Sequence, residues 1–138
     1  MTDADTLTRL LDAARAARER AHAPFSGFKV GAALETRSGR IVTGCNIENA
    51  SYGLTLCAER TAIFKAVSEG VWDFARVVVV ADTEAPTPPC GACRQILWEF
   101  AGDIEVVLAN LHGVTGTYRT STLLPLPFDR GFLRDRHS

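Results

Sequence analysis

The chain has 138 residues, 46% of them apolar and 22% charged, and 15 basic side chains nearly balance 16 acidic ones for a formal net charge of −1. This is the size of one ordinary globular domain, 1–138, which buries roughly two-thirds of its unfolded surface and needs no staple to fold. The charge balance argues against an acidic disordered tail, a collagen and a basic polynucleotide binder, and no apolar run reaches the ~18 residues of a membrane span.

The first ten residues, MTDADTLTRL, are acidic and polar and lack the basic and apolar regions of a signal peptide. A cytoplasmic protein is expected, with reduced thiols, so the four cysteines read as metal ligands or catalytic groups. Leu7, Leu10, Leu11, Ala14, Ala17 and Ala21 follow helical spacing, which predicts a helix over roughly 5–22, capped by Asp3 or Asp5 and stopped by Pro24. Residues 28–36 and 40–45 read as strands joined by the turn Arg37-Ser38-Gly39. Residues 46–55 hold turn formers without a clean period and read as a loop. A helix over 56–69 closes at Gly70. The run Val77-Val78-Val79-Val80 suits the buried centre of a sheet. Residues 82–89 contain three prolines and are irregular; a helix over 91–101 follows, ended by Gly102. Strands are expected over 104–109 and 115–120, and 130–138 reads as a partly mobile tail.

The order α-β-β-α-β-α-β-β points to an α/β fold with helices covering a sheet. Residues 110–114 are too few for a parallel crossover, which takes a dozen or more, so the fifth strand is expected antiparallel to the fourth.

Three cysteines fall in two groups: Leu56-Cys57-Ala58-Glu59-Arg60, and Pro89-Cys90-Gly91-Ala92-Cys93-Arg94-Gln95. Each group opens a predicted helix, and Cys90 and Cys93 share one face of a first turn. Two helix N-termini directed at one spot favour thiolates, and thiolates bind zinc. Three ligands rather than four leave a position open, as in catalytic zinc sites. His22, at the predicted end of the first helix, His112 in a turn and His137 in the tail do not complete the set, and Cys45 reads as a small buried residue. Glu59 reaches the open position within one turn and can take a proton from water there and return it elsewhere. Three thiolates around a divalent cation sum to −1, and Arg60, three residues after Cys57, can offset this by donating to the sulfurs. Arg94 could do likewise but reads more simply as a solvated surface residue. C-x-x-C alone fits redox chemistry, structural zinc or neither; C-x-E followed 30-odd residues later by P-C-x-x-C, each at a helix start, is the pattern of zinc deaminases.

At this point the chain resembles the cytidine deaminase family, in its short, single-domain, homotetrameric form. The resemblance runs through Ala23-Pro24-Phe25-Ser26 with Phe28, Val30-Gly31-Ala32-Ala33, Gly44-Cys45-Asn46-Ile47-Glu48-Asn49-Ala50, both cysteine groups, and Leu123-Leu124-Pro125 with Phe128. It implies a three-layer α-β-α fold on a five-stranded mixed sheet. It also implies zinc-dependent hydrolysis of free cytidine and 2′-deoxycytidine in pyrimidine salvage, with one zinc per subunit. In roles, it implies that Cys57, Cys90 and Cys93 hold the metal and that Glu59 moves protons to ring N3 and the leaving amine. Phe28 would stack near the pyrimidine, Asn46 and Glu48 would bind the ribose hydroxyls, and the Ala58 N–H would bind the base carbonyl. Tyr52 and Phe128 resemble residues that reach a neighbouring subunit's site, although Pro127 alters the approach to Phe128. A neutral amide and a carboxylate do suit sugar hydroxyls and repel a 5′-phosphate, while Asn46, Asn49 and Ser51 also read as turn formers. Trp72 and Trp98 read as core or interface residues.

Three other readings compete. A polynucleotide deaminase would carry a basic surface and a helix between the last two strands. A blasticidin-type aminonucleoside deaminase would not be expected to keep the whole Asn46-Ile47-Glu48-Asn49 stretch. A non-enzymatic zinc or redox module leaves Cys57 and Glu59 unexplained.

Overall fold

The structure is a computed structural model that describes residues 2–135, with side chains through residue 133, so His137 and the end of the expected tail lie outside the described residues. The first helix, α1, runs Asp3–Arg18. A capping box moves its start: the Thr2 hydroxyl accepts from the Asp5 N–H at 3.1 Å, and the Asp5 carboxylate accepts from the Thr2 N–H at 3.3 Å. Thr2, not an aspartate, is therefore the cap. At the other end the helix stops before His22, which is drawn instead into a parallel bridge with Ile47.

Five strands form one mixed sheet in the order β2-β1-β3-β4-β5. They are β1 (Val30–Thr36), β2 (Ile41–Cys45), β3 (Phe74–Ala81), β4 (Glu105–Ala109) and β5 (Val114–Arg119). β1 is antiparallel to both β2 and β3, β3 is parallel to β4, and β5 is antiparallel to β4 as its short link requires. The valine run lies in the central strand β3, and its alternation builds both cores. Val77 and Val79 pack with Ala62, Ile63 and Leu97 of the helices α2 (Ala58–Ser68) and α3 (Gly91–Ala101). Val78 and Val80 pack with Leu10 and Ala14 of α1 on the opposite face. The result is the three-layer α-β-α arrangement.

Gly44 lets α2 sit directly on β2: a Cβ there would lie 2.5 Å from the Ala62 nitrogen and 2.7 Å from the Ala58 carbonyl oxygen. Two short helices follow β5: α4 (Thr120–Leu123) begins at the residue expected to end the fifth strand, and α5 (Arg130–Asp135) lies in the expected tail. They are held by the outer face of α3. Gln95 Nε2 donates to the Phe128 carbonyl at 2.7 Å, and Trp98 Nε1 donates to Asp129 Oδ2 at 3.0 Å.

Candidate active site

Cys57 is the N-cap of α2 and Cys90 the N-cap of α3, each in extended backbone. The predicted start of α2 at residue 56 is thus two residues early, which places Cys57 at the open end of the helix, where the first N–H groups lack intrahelical partners. Cys93 lies one turn into α3 and is fully buried. The three sulfurs lie within 4.8 Å of one another, with 3.8 Å between Cys57 and Cys90. Tetrahedral thiolate ligands at ~2.3 Å from zinc stand about 3.8 Å apart, so the cluster fits zinc. Among the described residues no histidine and no fourth cysteine joins this group; Cys45, half-buried rather than fully buried as expected, is a free thiol outside it.

Arg60 bridges the metal site to the loop before it. Its Nη2 donates to Cys57 Sγ at 3.4 Å and to the Thr55 carbonyl at 3.2 Å. With the thiols uncoordinated, the Cys93 thiol and then the Arg60 guanidinium donate to Cys57 and lower its pKa, while Cys93 keeps the shared proton and is raised. Arg94 is not the solvated side chain expected. Its Nε donates to the Pro89 carbonyl at 2.9 Å and its Nη1 to the Leu123 carbonyl at 2.8 Å, which pins the segment before Cys90 to the end of α4.

Glu59, in the first turn of α2, is 4% exposed. Burial pushes its carboxyl up to about 7, with the Cys57 thiolate adding to the rise. A carboxyl poised there can both hold and release a proton at neutral pH.

These groups line a cleft of about 260 Å³. Cys57, Glu59 and Cys90 line it together with Phe28, Asn46 and Glu48. The structure adds hydrogen bonds that the sequence does not announce. Asn46 Nδ2 donates to the Phe28 carbonyl at 2.7 Å and its Oδ1 accepts from the Val30 N–H at 2.8 Å, so it fixes the backbone that carries Phe28. One amide hydrogen and one lone pair remain for a ligand. Glu48 Oε1 accepts from the N–H groups of Phe25 at 2.9 Å and Ser26 at 3.1 Å, and its Oε2 accepts from the Ser26 hydroxyl. That hydroxyl contact, then the backbone donors, hold the Glu48 carboxyl below its usual value, with a smaller contribution from His22. Ser26 is a site residue that residue-level reading missed; only its place before Gly27, at φ +70, hints at a tight turn.

Ala58 is fully buried at the first position of α2, where its N–H has no partner within the helix. Phe28 is 43% exposed and Tyr52 58% exposed, both along the cleft. Phe128 does not line it; its ring stacks on Phe132 at 5.5 Å and 14°. Trp72 is tilted against Phe100 at the surface.

The family model described as the cytidine and deoxycytidylate deaminase zinc-binding region matches residues 4–110. The chain belongs to this family. It is 52% identical over 127 residues to a cytidine deaminase of Halalkalibacterium halodurans, covering 91% of this chain and 96% of that one. It is 51% identical over 123 residues to a cytidine deaminase of Sporosarcina psychrophila, covering 88% and 90%. A crystal structure of cytidine deaminase from Burkholderia pseudomallei superposes with a TM-score of 0.86 at 50% identity, covering 93% of this chain and all of that one. The family is a zinc-binding one, and Cys57, Cys90 and Cys93 form a group that could hold the ion. With Zn²⁺ bound, three thiolates would leave a net −1, which a guanidinium placed as Arg60 is would offset.

Proposed function

We propose that this protein hydrolyses free cytidine and 2′-deoxycytidine to uridine and 2′-deoxyuridine, releasing ammonia. One observation carries the reading: the buried carboxyl of Glu59 and two members of a three-thiol cluster, Cys57 and Cys90, line one cleft of nucleoside size. Zinc held by Cys57, Cys90 and Cys93 supplies a Lewis acid that makes water nucleophilic near neutral pH. Glu59 takes a proton from the attacking water and passes it to ring N3 as the new C4–O bond forms. It then carries a second proton to the amine, which leaves as ammonia with the electron pair of the broken C4–N bond.

The remaining side chains hold the substrate. Phe28 stacks on the pyrimidine and the Ala58 N–H binds the base carbonyl. The ribose hydroxyls take the remaining hydrogen-bonding capacity of Asn46 and Glu48. The Glu48 charge disfavours a 5′-phosphate, which is why free nucleosides are the substrates proposed. The protein acts as a homotetramer, with Tyr52 and Phe128 reaching a neighbouring site; their exposure, 58% and 61%, supports this. The setting is pyrimidine salvage in the cytoplasm, a reducing compartment suited to free thiols. No described helix is long and apolar enough to cross a membrane.

A polynucleotide substrate is not favoured. The net charge is −1, and β4 and β5 are joined by residues 110–113 with no helix between them. The direct test is the fall in ultraviolet absorbance on adding cytidine, 2′-deoxycytidine, cytosine, CMP and a single-stranded oligonucleotide separately. Turnover of the two nucleosides alone is expected. Turnover of CMP or the oligonucleotide in preference to cytidine would overturn the reading.

A further inference from the structure

The loop from β3 to α3 forms the wall of the cleft beside Cys90 through Thr87 and Pro88. Its two threonines are tied together: Thr83 Oγ1 donates to the Ala85 carbonyl at 2.8 Å and stands 2.6 Å from Thr87 Oγ1. A hydroxyl carries one proton, and a carbonyl oxygen can only accept. The Thr83 proton is therefore committed to Ala85. The proton between the two hydroxyls must come from Thr87, which is left with lone pairs alone. Toward any further partner Thr87 is an acceptor.

This polarity is anchored from behind. Asn110 Nδ2 donates to the Thr83 carbonyl at 3.0 Å, while Asn110 Oδ1 accepts from the N–H groups of His112 at 2.8 Å and Gly113 at 3.0 Å. The turn between β4 and β5 thus holds Thr83, and Thr83 sets the direction of the Thr87 hydroxyl. Asn110 and Thr83 lie outside the cleft, whereas Thr87 lines it together with Cys57, Glu59 and Cys90.

We propose that Thr87 is a specificity-determining residue whose hydroxyl accepts an N–H from the exocyclic amine on the reacting carbon, with Thr83 as its positioning residue. This rests on the nucleoside reading above. The reacting carbon must lie at the metal end, beside Glu59. Its substituent is an amine, a donor, in the substrate and a carbonyl oxygen, an acceptor, in the product. A fixed acceptor attracts the first and repels the second, so it favours substrate entry and product departure. A freely rotating hydroxyl would serve both equally.

The test compares wild type with Thr87→Val, Thr87→Ser and Thr83→Val, each with its zinc content measured. Steady-state kinetics on cytidine are set beside the inhibition constant of uridine, which carries a carbonyl oxygen in place of the amine and a proton on the adjacent ring nitrogen; the variants alter only the group facing the first of these differences. Thr87→Val should lower kcat/KM for cytidine about three- to tenfold, the worth of one neutral hydrogen bond, and leave uridine binding unchanged or tighter. Thr87→Ser should restore the wild-type ratio. Thr83→Val frees the Thr87 proton to turn toward a carbonyl, so uridine should inhibit more strongly while cytidine turnover falls. Equal losses for cytidine and uridine in Thr87→Val would reduce Thr87 to a structural role and overturn the assignment. A wild-type protein inert to cytidine would sink the nucleoside reading and this one together, whereas an unchanged cytidine-to-uridine ratio in active protein sinks only the Thr87 assignment.

Discussion

Gly44→Ala tests whether the seat of α2 on β2 sets the chemistry. The new Cβ would stand 2.5 Å from the Ala62 nitrogen, 2.7 Å from the Ala58 carbonyl oxygen and 3.0 Å from Ala62 Cα, where ordinary contact begins at 3.4 Å. The atoms it meets are backbone, so no side chain can swing away. To relieve the tightest contact α2 must withdraw by 3.4 − 2.5, about 0.9 Å. Overpacking of this kind costs about 1–3 kcal/mol, and backbone-on-backbone contact places this site at the upper end. The same helix carries Cys57, Ala58 and Glu59, so the shift reaches the site undiminished. A displacement of ~1 Å between reacting groups costs about a hundredfold in rate. Urea unfolding and cytidine turnover would be measured on Gly44→Ala and on Gly113→Ala, whose added Cβ meets nothing within 4 Å. The expected outcome is loss of both stability and kcat in the first and neither in the second. A Gly44→Ala protein with wild-type kcat would refute the idea that this contact positions Glu59, whatever its stability.

Glu59→Ala should keep its zinc and its fold yet lose at least about a thousandfold in deamination rate, since each proton transfer it carries is worth about 10²–10⁴; a loss below tenfold in zinc-replete protein would assign the protons to another group. Replacing Cys57, Cys90 or Cys93 by alanine should empty most of the metal site as measured by bound zinc, whereas Cys45→Ala should not, because its sulfur lies outside the cluster. The Glu48 carboxyl is held below its ordinary value of 4.5, so it stabilises the folded state above that pH and loses the contribution as pH falls through the lower folded value. The Tm gap between wild type and Glu48→Gln should accordingly be full at pH 7 and narrow below pH 4.5; a gap that widened on acidification would contradict the sign.

Local rules made much of this legible. The range 91–101 for α3 follows from Pro89 before it and Gly102 after it, and the structure has the same bounds. The antiparallel β5 follows from the brevity of residues 110–114 alone. The metal site was legible because its chemistry demands particular residue types at particular spacings. What stayed hidden depends on partners distant along the chain. α4 and α5 exist because Arg94, Gln95 and Trp98 reach 29–33 residues onward to hold them. The roles of Ser26 and Asn46 come from hydrogen bonds spanning 16–22 residues, which no local window contains. Arg94 looked solvated because charge predicts exposure, but the two carbonyls it meets come from separate segments. Helical connections suggested crossovers, yet nothing local told that β1 would insert between β2 and β3.

The shared direction of β2 and β3 is what brings the thiols together. Because β1 is antiparallel to both neighbours, β2 and β3 point the same way, and β4 is parallel to β3. Their carboxyl ends therefore lie at one edge of the sheet. The register shows it directly: Cys45 and Val80 both face Gly31, and Val80 faces Ala109, one row across four strands. Chain leaving β2 and chain leaving β3 both turn back from this edge into helices on the same face, since α2 and α3 share one core with Val77 and Val79. Two helices that start at one edge and pack side by side must present their N-termini together. The first residue of each is then the natural place for a ligand, close to the other helix and supported by unpaired N–H groups. Cys57 and Cys90 occupy those two positions, and Cys93 adds the third sulfur one turn deeper. With β1 at the edge instead, β2 and β3 would be direct neighbours and the same two helices would still align. What β1 adds is its own entry, residues 28–30, pinned by Asn46, with Phe28 and Val30 lining the same cleft as Cys57 and Cys90. The antiparallel strand thus supplies one wall of the cleft, and the parallel pair of connections supplies the thiols.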